Sequence, residues 1–273
     1  MPGNILDGQS NRLISWYNFL KVFRQPRKAT SILMHKMFAP VGHSNYRKFV
    51  VLTRDRTGSN MLIQALNAHP HIASDYEIFG KLCGQTEKSI LEKCWSKQPF
   101  YIRAKGFKIF YYHPQDTEES AIWDLLTAQK DLHVIHLKRR NLLHVEVSSR
   151  VAYTTGVYGV RSEKEYSNYQ KKLSPVEFSH DDLVRLFKQN RDWERAGASR
   201  FGAHPMMEVC YEDMAGQFDE EYRRVLTFLG IDYRPPRVDF KKQRTKSMRD
   251  LVKDYDALKA GFAGTEWEEL FDD

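Results

Sequence analysis

Cysteine is scarce: the chain carries three in 273 residues, Cys83, Cys94 and Cys210, with no CxxC pair among them. An odd number without metal-ligand spacing indicates neither a disulfide framework nor a zinc site, and reduced thiols in a cytoplasmic protein are the expectation. Long apolar runs are also missing. Nothing approaches the roughly 20 residues that a membrane-spanning helix needs, and the N-terminus lacks the continuous apolar stretch and small-residue cleavage site of a signal peptide. There is no repeat and no low-complexity tract, which argues against fibrous and disordered classes. Zinc-finger spacing, an RNP-like aromatic strand and blocks of lysine or arginine are absent too, so a nucleic-acid partner is not expected.

What is present fits an ordinary globular protein: 41% hydrophobic and 28% charged residues, enough to build a substantial core. A formal charge of +7 favours an anionic partner, whether nucleic acid, a membrane surface or a polyphosphorylated small molecule. We read residues 48–273 as one domain and residues 1–47 as a helical, basic extension. In that extension Leu13, Ile14, Trp16, Phe19, Leu20, Val22 and Phe23 stand beside Lys21, Arg24, Arg27 and Lys28. The pattern suits an interfacial helix in peripheral contact with a membrane. It suits better a helix packed on the domain, or on a sister subunit of a homo-oligomer.

From residue 48 element types alternate. Phe49-Val50-Val51-Leu52 is a short β-branched run, a polar stretch follows over 53–59, and Met61, Leu62, Ala65 and Leu66 recur at helical spacing. Further strands are expected over 106–112, 133–137 and 206–211, with helices over 118–129, from Asn141, from an N-cap at Ser179, and over 218–229 up to Gly230. Strands separated by helices imply an α/β three-layer sandwich, a mainly parallel sheet covered on both faces with ligand sites at the C-terminal strand ends.

The polar stretch Thr53-Arg54-Asp55-Arg56-Thr57-Gly58-Ser59-Asn60 lies where backbone N–H groups and the positive end of a helix face an anion. Gly58 permits close backbone approach, Thr57, Ser59 and Asn60 add donors, and Arg56 adds a forked permanent charge. This is not a nucleoside-triphosphate loop, because the GxxxxGK[ST] spacing is absent. A second anion site is suggested by Arg139-Arg140-Asn141 at a strand end, with Ser148 and Ser149 down the following helix. Ser148 would lie roughly 11 Å along that helix, within reach of an arginine with a phosphate between them.

Arg56-Thr57-Gly58-Ser59-Asn60 resembles the 5′-phosphosulfate loop of sulfotransferases that use 3′-phosphoadenosine 5′-phosphosulfate (PAPS), and Arg140 with Ser148 eight residues on resembles their 3′-phosphate motif. The wording is closest to bacterial carbohydrate sulfotransferases of the nodulation-factor type, through Asn67-Ala68-His69-Pro70, Glu77, Gly106-Phe107-Lys108, Arg139-Arg140-Asn141 and Tyr211-Glu212-Asp213. The resemblance covers roughly residues 48–260. It implies a P-loop-like α/β fold, a PAPS donor with PAP as product, no metal, and a hydroxyl of a carbohydrate or glycolipid as acceptor.

By that resemblance Arg56 holds the 5′-phosphosulfate with Thr57, Gly58, Ser59 and Asn60, while Arg140 and Ser148 grip the 3′-phosphate. A basic C-terminal loop closing over the nucleotide nominates Lys242, Gln243, Arg244 and Thr245. Many members carry lysine at the position of Arg56; arginine does not readily donate a proton, so charge stabilisation is its expected role. For the general base Glu77 stands first and His113 competes with it, and Lys108 is a candidate for holding the sulfonate. Glu212, Asp213 and His69 read as structural. A nucleotide kinase or phosphotransferase and a non-catalytic polyanion-binding protein are the alternative functions.

Overall fold

The computed structural model describes residues 42–158, 163–236 and 246–272. Most of the N-terminal extension, Trp16 with it, and the nominated residues Lys242, Gln243, Arg244 and Thr245 lie outside the described residues.

Five strands, β1 (Arg47–Thr53), β2 (Ile72–Asp75), β3 (Ala104–Phe110), β4 (His133–Lys138) and β5 (Met206–Cys210), form one sheet in the order β2-β3-β1-β4-β5. Every neighbouring pair is parallel. Parallel neighbours require crossovers, and helices supply them: α1 (Ser59–Ala68), α2 (Glu87–Cys94) and α3 (Ile122–Thr127) between the first four strands, then α4 (Leu142–Thr155), α5 (Glu163–Lys172) and α6 (His180–Arg200) before β5. After β5 come α7 (Tyr211–Gly216), α8 (Phe218–Phe228), α9 (Met248–Leu251), α10 (Tyr255–Gly261) and a 3₁₀ turn at Glu268–Phe271.

The three layers follow from the pleat of β1. Phe49 and Val51 point into one core with Leu62 and Leu66 of α1 and Tyr222 and Leu226 of α8. Val50 and Leu52 point into the other, with Leu91 of α2, Leu126 of α3 and Phe201. All four β1 side chains are fully buried, as expected of a strand covered on both faces. A third cluster, built on Leu143, Val147, Leu183, Phe187, Phe262 and Phe271, joins α4 and α6 to the C-terminal helices. Among the described residues no helix is long and apolar enough to cross a membrane.

Three expectations are corrected. The strand expected over 106–112 runs two residues earlier, because His113 N–H turns back to the Phe110 carbonyl at 3.0 Å. The helix expected over 118–129 is confined to Ile122–Thr127. Glu87 of α2 explains this: its carboxylate takes the Ser120 hydroxyl and the Ala121 N–H at 2.9 and 3.2 Å, holding that stretch out of the helix. The edge strand β2, Ile-Ala-Ser-Asp, was not expected at all.

The chain leaves β1 toward β2 and β3 on one side of the sheet and leaves β4 toward β5 on the other. The crevice at the C-terminal ends of β1 and β4 is therefore the topological switch point, where open α/β sheets bind ligands. Both anion motifs flank it.

Candidate active site

The loop after β1 is stitched from within. Thr53 Oγ1 lies 2.6 Å from Thr57 Oγ1 and donates to the Leu137 carbonyl of β4 at 2.7 Å, while Thr57 Oγ1 donates to the Arg54 carbonyl at 2.9 Å. The Thr57 hydroxyl is thus spent inside the loop, and its backbone is what remains to offer an anion. Gly58 sits at φ 79° at the N-cap of α1, which has no side-chain cap. A Cβ there would lie 2.4 Å from Cδ2 of Tyr211, so only glycine lets the loop pack under that ring. Arg56 also has a left-handed backbone, φ 63°.

Across the crevice the charged side chains are paired within the protein. Arg56 Nε donates to Ser148 Oγ at 2.8 Å and Arg56 Nη1 to the Tyr158 carbonyl at 2.9 Å. Arg140 forms a two-pronged ion pair with Asp213, at 3.0 and 2.5 Å. The Glu212 carboxylate accepts the backbone N–H groups of Arg140 and Asn141 at 3.0 and 3.2 Å, so the two acids tie α7 to the start of α4, the structural part expected of them. Arg139 lies between the two ends: it donates to the Arg56 carbonyl at 3.1 Å and stands 4.4 Å over the Tyr211 ring.

The other side of the loop carries the candidates for chemistry. Lys108 is 1% exposed. Its Nζ donates to Asn60 Oδ1 at 2.7 Å and pairs with Glu77 Oε1 at 2.6 Å, between the rings of Tyr76 and Phe110. Burial pulls the Lys108 ammonium below its ordinary value, against the opposing pull of the Glu77 carboxylate. His113 is buried, its Nδ1 accepts the Phe110 N–H at 3.3 Å, and burial pushes it down to about 4. Accepting at Nδ1 assigns the proton of the neutral ring to Nε2.

His136 of β4 is held down to about 4 in the same way, by burial first and then by Lys138. Both histidines are neutral when folded and take up a proton on unfolding below their ordinary value of 6.5. The unfolded state therefore binds more protons over that window, and stability rises with pH across it. We expect unfolding free energy measured by urea titration to fall as pH drops from 6.5 toward 4, by on the order of 3 kcal/mol per histidine. His136→Gln should flatten that slope; an unchanged slope would show that the ring is already charged in the folded protein.

Sequence reading missed the network behind the loop. Arg54, 7% exposed, donates through Nη1 to Glu146 Oε1 at 2.6 Å and to Asn190 Oδ1 at 2.7 Å, and through Nε and Nη2 to Asp55 Oδ1 at 3.2 and 3.1 Å. Asp55 also accepts from Tyr112 OH at 2.8 Å and from Ser149 Oγ at 2.9 Å. Asn190 Nδ2 returns to Glu146 at 2.7 Å. The only signal in the sequence is Glu146, which stands among the buried positions of α4.

No family profile matches the chain. Its similarity to curated proteins runs over most of its length: it is 25% identical to nodulation protein H of Rhizobium tropici over 238 residues, 82% of this chain and 92% of that protein. With nodulation protein H of Rhizobium meliloti it shares 24% identity over 83% of this chain and 95% of that protein. The chain resembles the bacterial nodulation proteins over most of its length. This agrees with the order of its motifs, which is similar to that of bacterial sulfotransferases of the nodulation-factor type. Solved structures returned at lower similarity include a sulfotransferase from Alicyclobacillus acidocaldarius, with TM-score 0.47, 15% identity and coverage of 79% of this chain and 90% of that one. Another is the mouse sulfotransferase SULT7A1 complexed with PAP, with TM-score 0.38, 14% identity and coverage of 84% and 88%.

Proposed function

We propose that the enzyme moves a sulfuryl group from PAPS to a hydroxyl of a carbohydrate or glycolipid, in line and without a metal. The observation that carries this reading is the convergence at the switch point: the Arg56 loop, Ser148 across the crevice at 2.8 Å from Arg56, and the Lys108, Asn60 and Glu77 group on the loop's other side. The donor set fits an adenosine ligand with two anionic ends, since an uncapped helix N-terminus and Arg56 meet one end while Ser148, Arg140 and Arg139 border the place for the other. The donor supplies a sulfuryl group on a phosphate that leaves as an anion.

The chain's own groups then have these tasks. Arg56 stabilises charge as it gathers on the departing phosphate, which is where a fixed guanidinium is worth most. Lys108, buried and turned to Asn60, holds the sulfonate oxygens. Glu77 takes the acceptor's proton as the new S–O bond forms and the bond to the phosphate breaks. It is the better base because its carboxylate is 40% exposed and needs no rearrangement. His113 would have to give up the Phe110 N–H before its Nε2 could accept a proton. Tyr76, 44% exposed beside Lys108, offers a ring face to a sugar.

Initial rates with labelled PAPS over a glycan panel, without magnesium, test the reading. Transfer to a glycan supports it, and tighter binding of ATP with magnesium than of PAP would overturn it. Glu77→Gln should lower kcat by about 10²-fold with nucleotide binding unchanged, while His113→Gln should keep most of the activity. The reverse pattern would transfer the base to His113.

A further inference from the structure

Two consecutive residues of the loop meet two consecutive residues of α4 in crossed order. Arg56 donates to Ser148 at 2.8 Å, and Asp55 accepts from Ser149 at 2.9 Å. Neighbours on a helix point about 100° apart, so the two serines address different parts of the loop, one a guanidinium and the other a carboxylate. Behind them Glu146, three residues before Ser149 and on its side of the helix, holds Arg54 at 2.6 Å. The loop residues 54, 55 and 56 are therefore each bonded to α4, at 146, 149 and 148.

Apolar packing alone does not set this registration, and the other polar ties, Thr53 to the Leu137 carbonyl and Arg139 to the Arg56 carbonyl, act at the strand end rather than down the helix. The helix α1 that follows the loop is seated in the core shared with α8, whereas α4 is seated through Leu142, Leu143, Val147 and Val151 in the separate cluster of C-terminal helices. Apolar burial is non-directional, so neither core by itself sets how far Ser148 stands from the loop. A carboxylate shared by a hydroxyl on α4, a phenol on the strand end and a buried arginine does set it. Asp55 is held for this: burial pushes its carboxyl up, and Arg54, Tyr112 and Ser149 together bring it below the ordinary carboxylate value.

We infer that Asp55 and Ser149 are positioning residues that fix the span between the 5′ and 3′ ends of the donor site. The preference for a nucleotide phosphorylated at both ends thus depends on them. The inference rests on the PAPS reading above. A ligand that bridges two preset ends gains the second contact as an intramolecular event, and loses that advantage when the span is loose. A ligand that uses only the 5′ end is indifferent to the span.

The test is calorimetric binding of PAP and of 5′-AMP at one fixed salt concentration to wild type, Ser149→Ala, Ser149→Thr and Asp55→Asn, with a thermal melt of each. In Ser149→Ala the ratio of PAP to 5′-AMP affinity should fall by about tenfold, the worth of one charge-assisted hydrogen bond, with 5′-AMP affinity close to wild type and a melting temperature lower by only a few degrees, as the loss of one such bond from the fold requires. Ser149→Thr keeps the hydroxyl and should restore the ratio. Asp55→Asn removes a negative charge near both ends, which tightens both ligands, yet its ratio should fall as well. A ratio unchanged in Ser149→Ala and Asp55→Asn, or an equal weakening of both ligands, would overturn the inference. A wild type with no preference for PAP would remove the donor-site reading itself and the inference with it, and that outcome is read from the wild type alone.

Discussion

Arg56→Met is expected to lower kcat for sulfuryl transfer by about 10³-fold, the largest loss of activity from any single substitution in this site. Methionine keeps most of the apolar stem while deleting the guanidinium, so the loop keeps its packing and loses the charge proposed to meet the departing phosphate. Among the described residues Arg56 donates to Ser148 Oγ and to the Tyr158 carbonyl, which hold its guanidinium in place before any ligand arrives. Preorganised charge is what lowers a barrier, since no reorganisation is needed when charge develops. Arg56→Lys separates charge from geometry. One ammonium cannot reproduce a fork that reaches Ser148 and Tyr158 at once, so it should recover part of the rate while PAP binding stays weaker than wild type. Initial-rate kinetics with calorimetry on both variants decide the matter. Wild-type kcat in Arg56→Met would mean that the negative charge is met elsewhere.

The parts of this site legible beforehand are those written in local spacing. A β-branched run of four residues before a Gly/Ser/Thr stretch announces β1 and its loop, Asn141 announces the start of α4 and accepts the His144 N–H as a cap at 2.9 Å, and Ser179 does the same for α6. The edge strand β2 was hidden because Ile-Ala-Ser-Asp has neither the length nor the alternation of a strand, and it exists through its pairing with β3. The Arg140 to Ser148 interval is visible in sequence, whereas the pairing of Arg140 with Asp213, 73 residues downstream, is not. Lys108 reads as a strand lysine of uncertain direction until Glu77 and Asn60 are seen to receive it. Contacts of Arg54 with Glu146 and Asn190, and of Asp55 with Tyr112, leave no spacing to read.

Arg54→Met is expected to be the most destabilising substitution around the loop, at about 3–5 kcal/mol. The argument is one of leftover charge. Arg54 and Glu146 have side chains 9% and 6% exposed, and Asn190 is 1% exposed. Removing the guanidinium strands the Glu146 carboxylate in an apolar setting with only the Asn190 amide for company, and it takes from Asp55 the cation that holds its carboxyl down. An unpaired buried charge costs far more than the pair is worth, because its desolvation is no longer offset. Arg54→Met combined with Glu146→Met removes both charges and should recover a good part of the loss, since apolar replacement of a buried pair is often close to neutral. The single variant should melt roughly 10 °C lower than wild type and the double variant higher than the single. Acid should tell the same story from the other direction. The depressed Asp55 carboxyl contributes stability that is complete above its unfolded value of 3.8 and is lost as pH falls through the lower folded value, so the Arg54→Met protein, with Asp55 less depressed, should show a shallower acid limb below pH 4. A double variant that melts no higher than the single would show that Arg54 serves through its bonds to Asn190 and Asp55 alone, and that the Glu146 charge is satisfied without it.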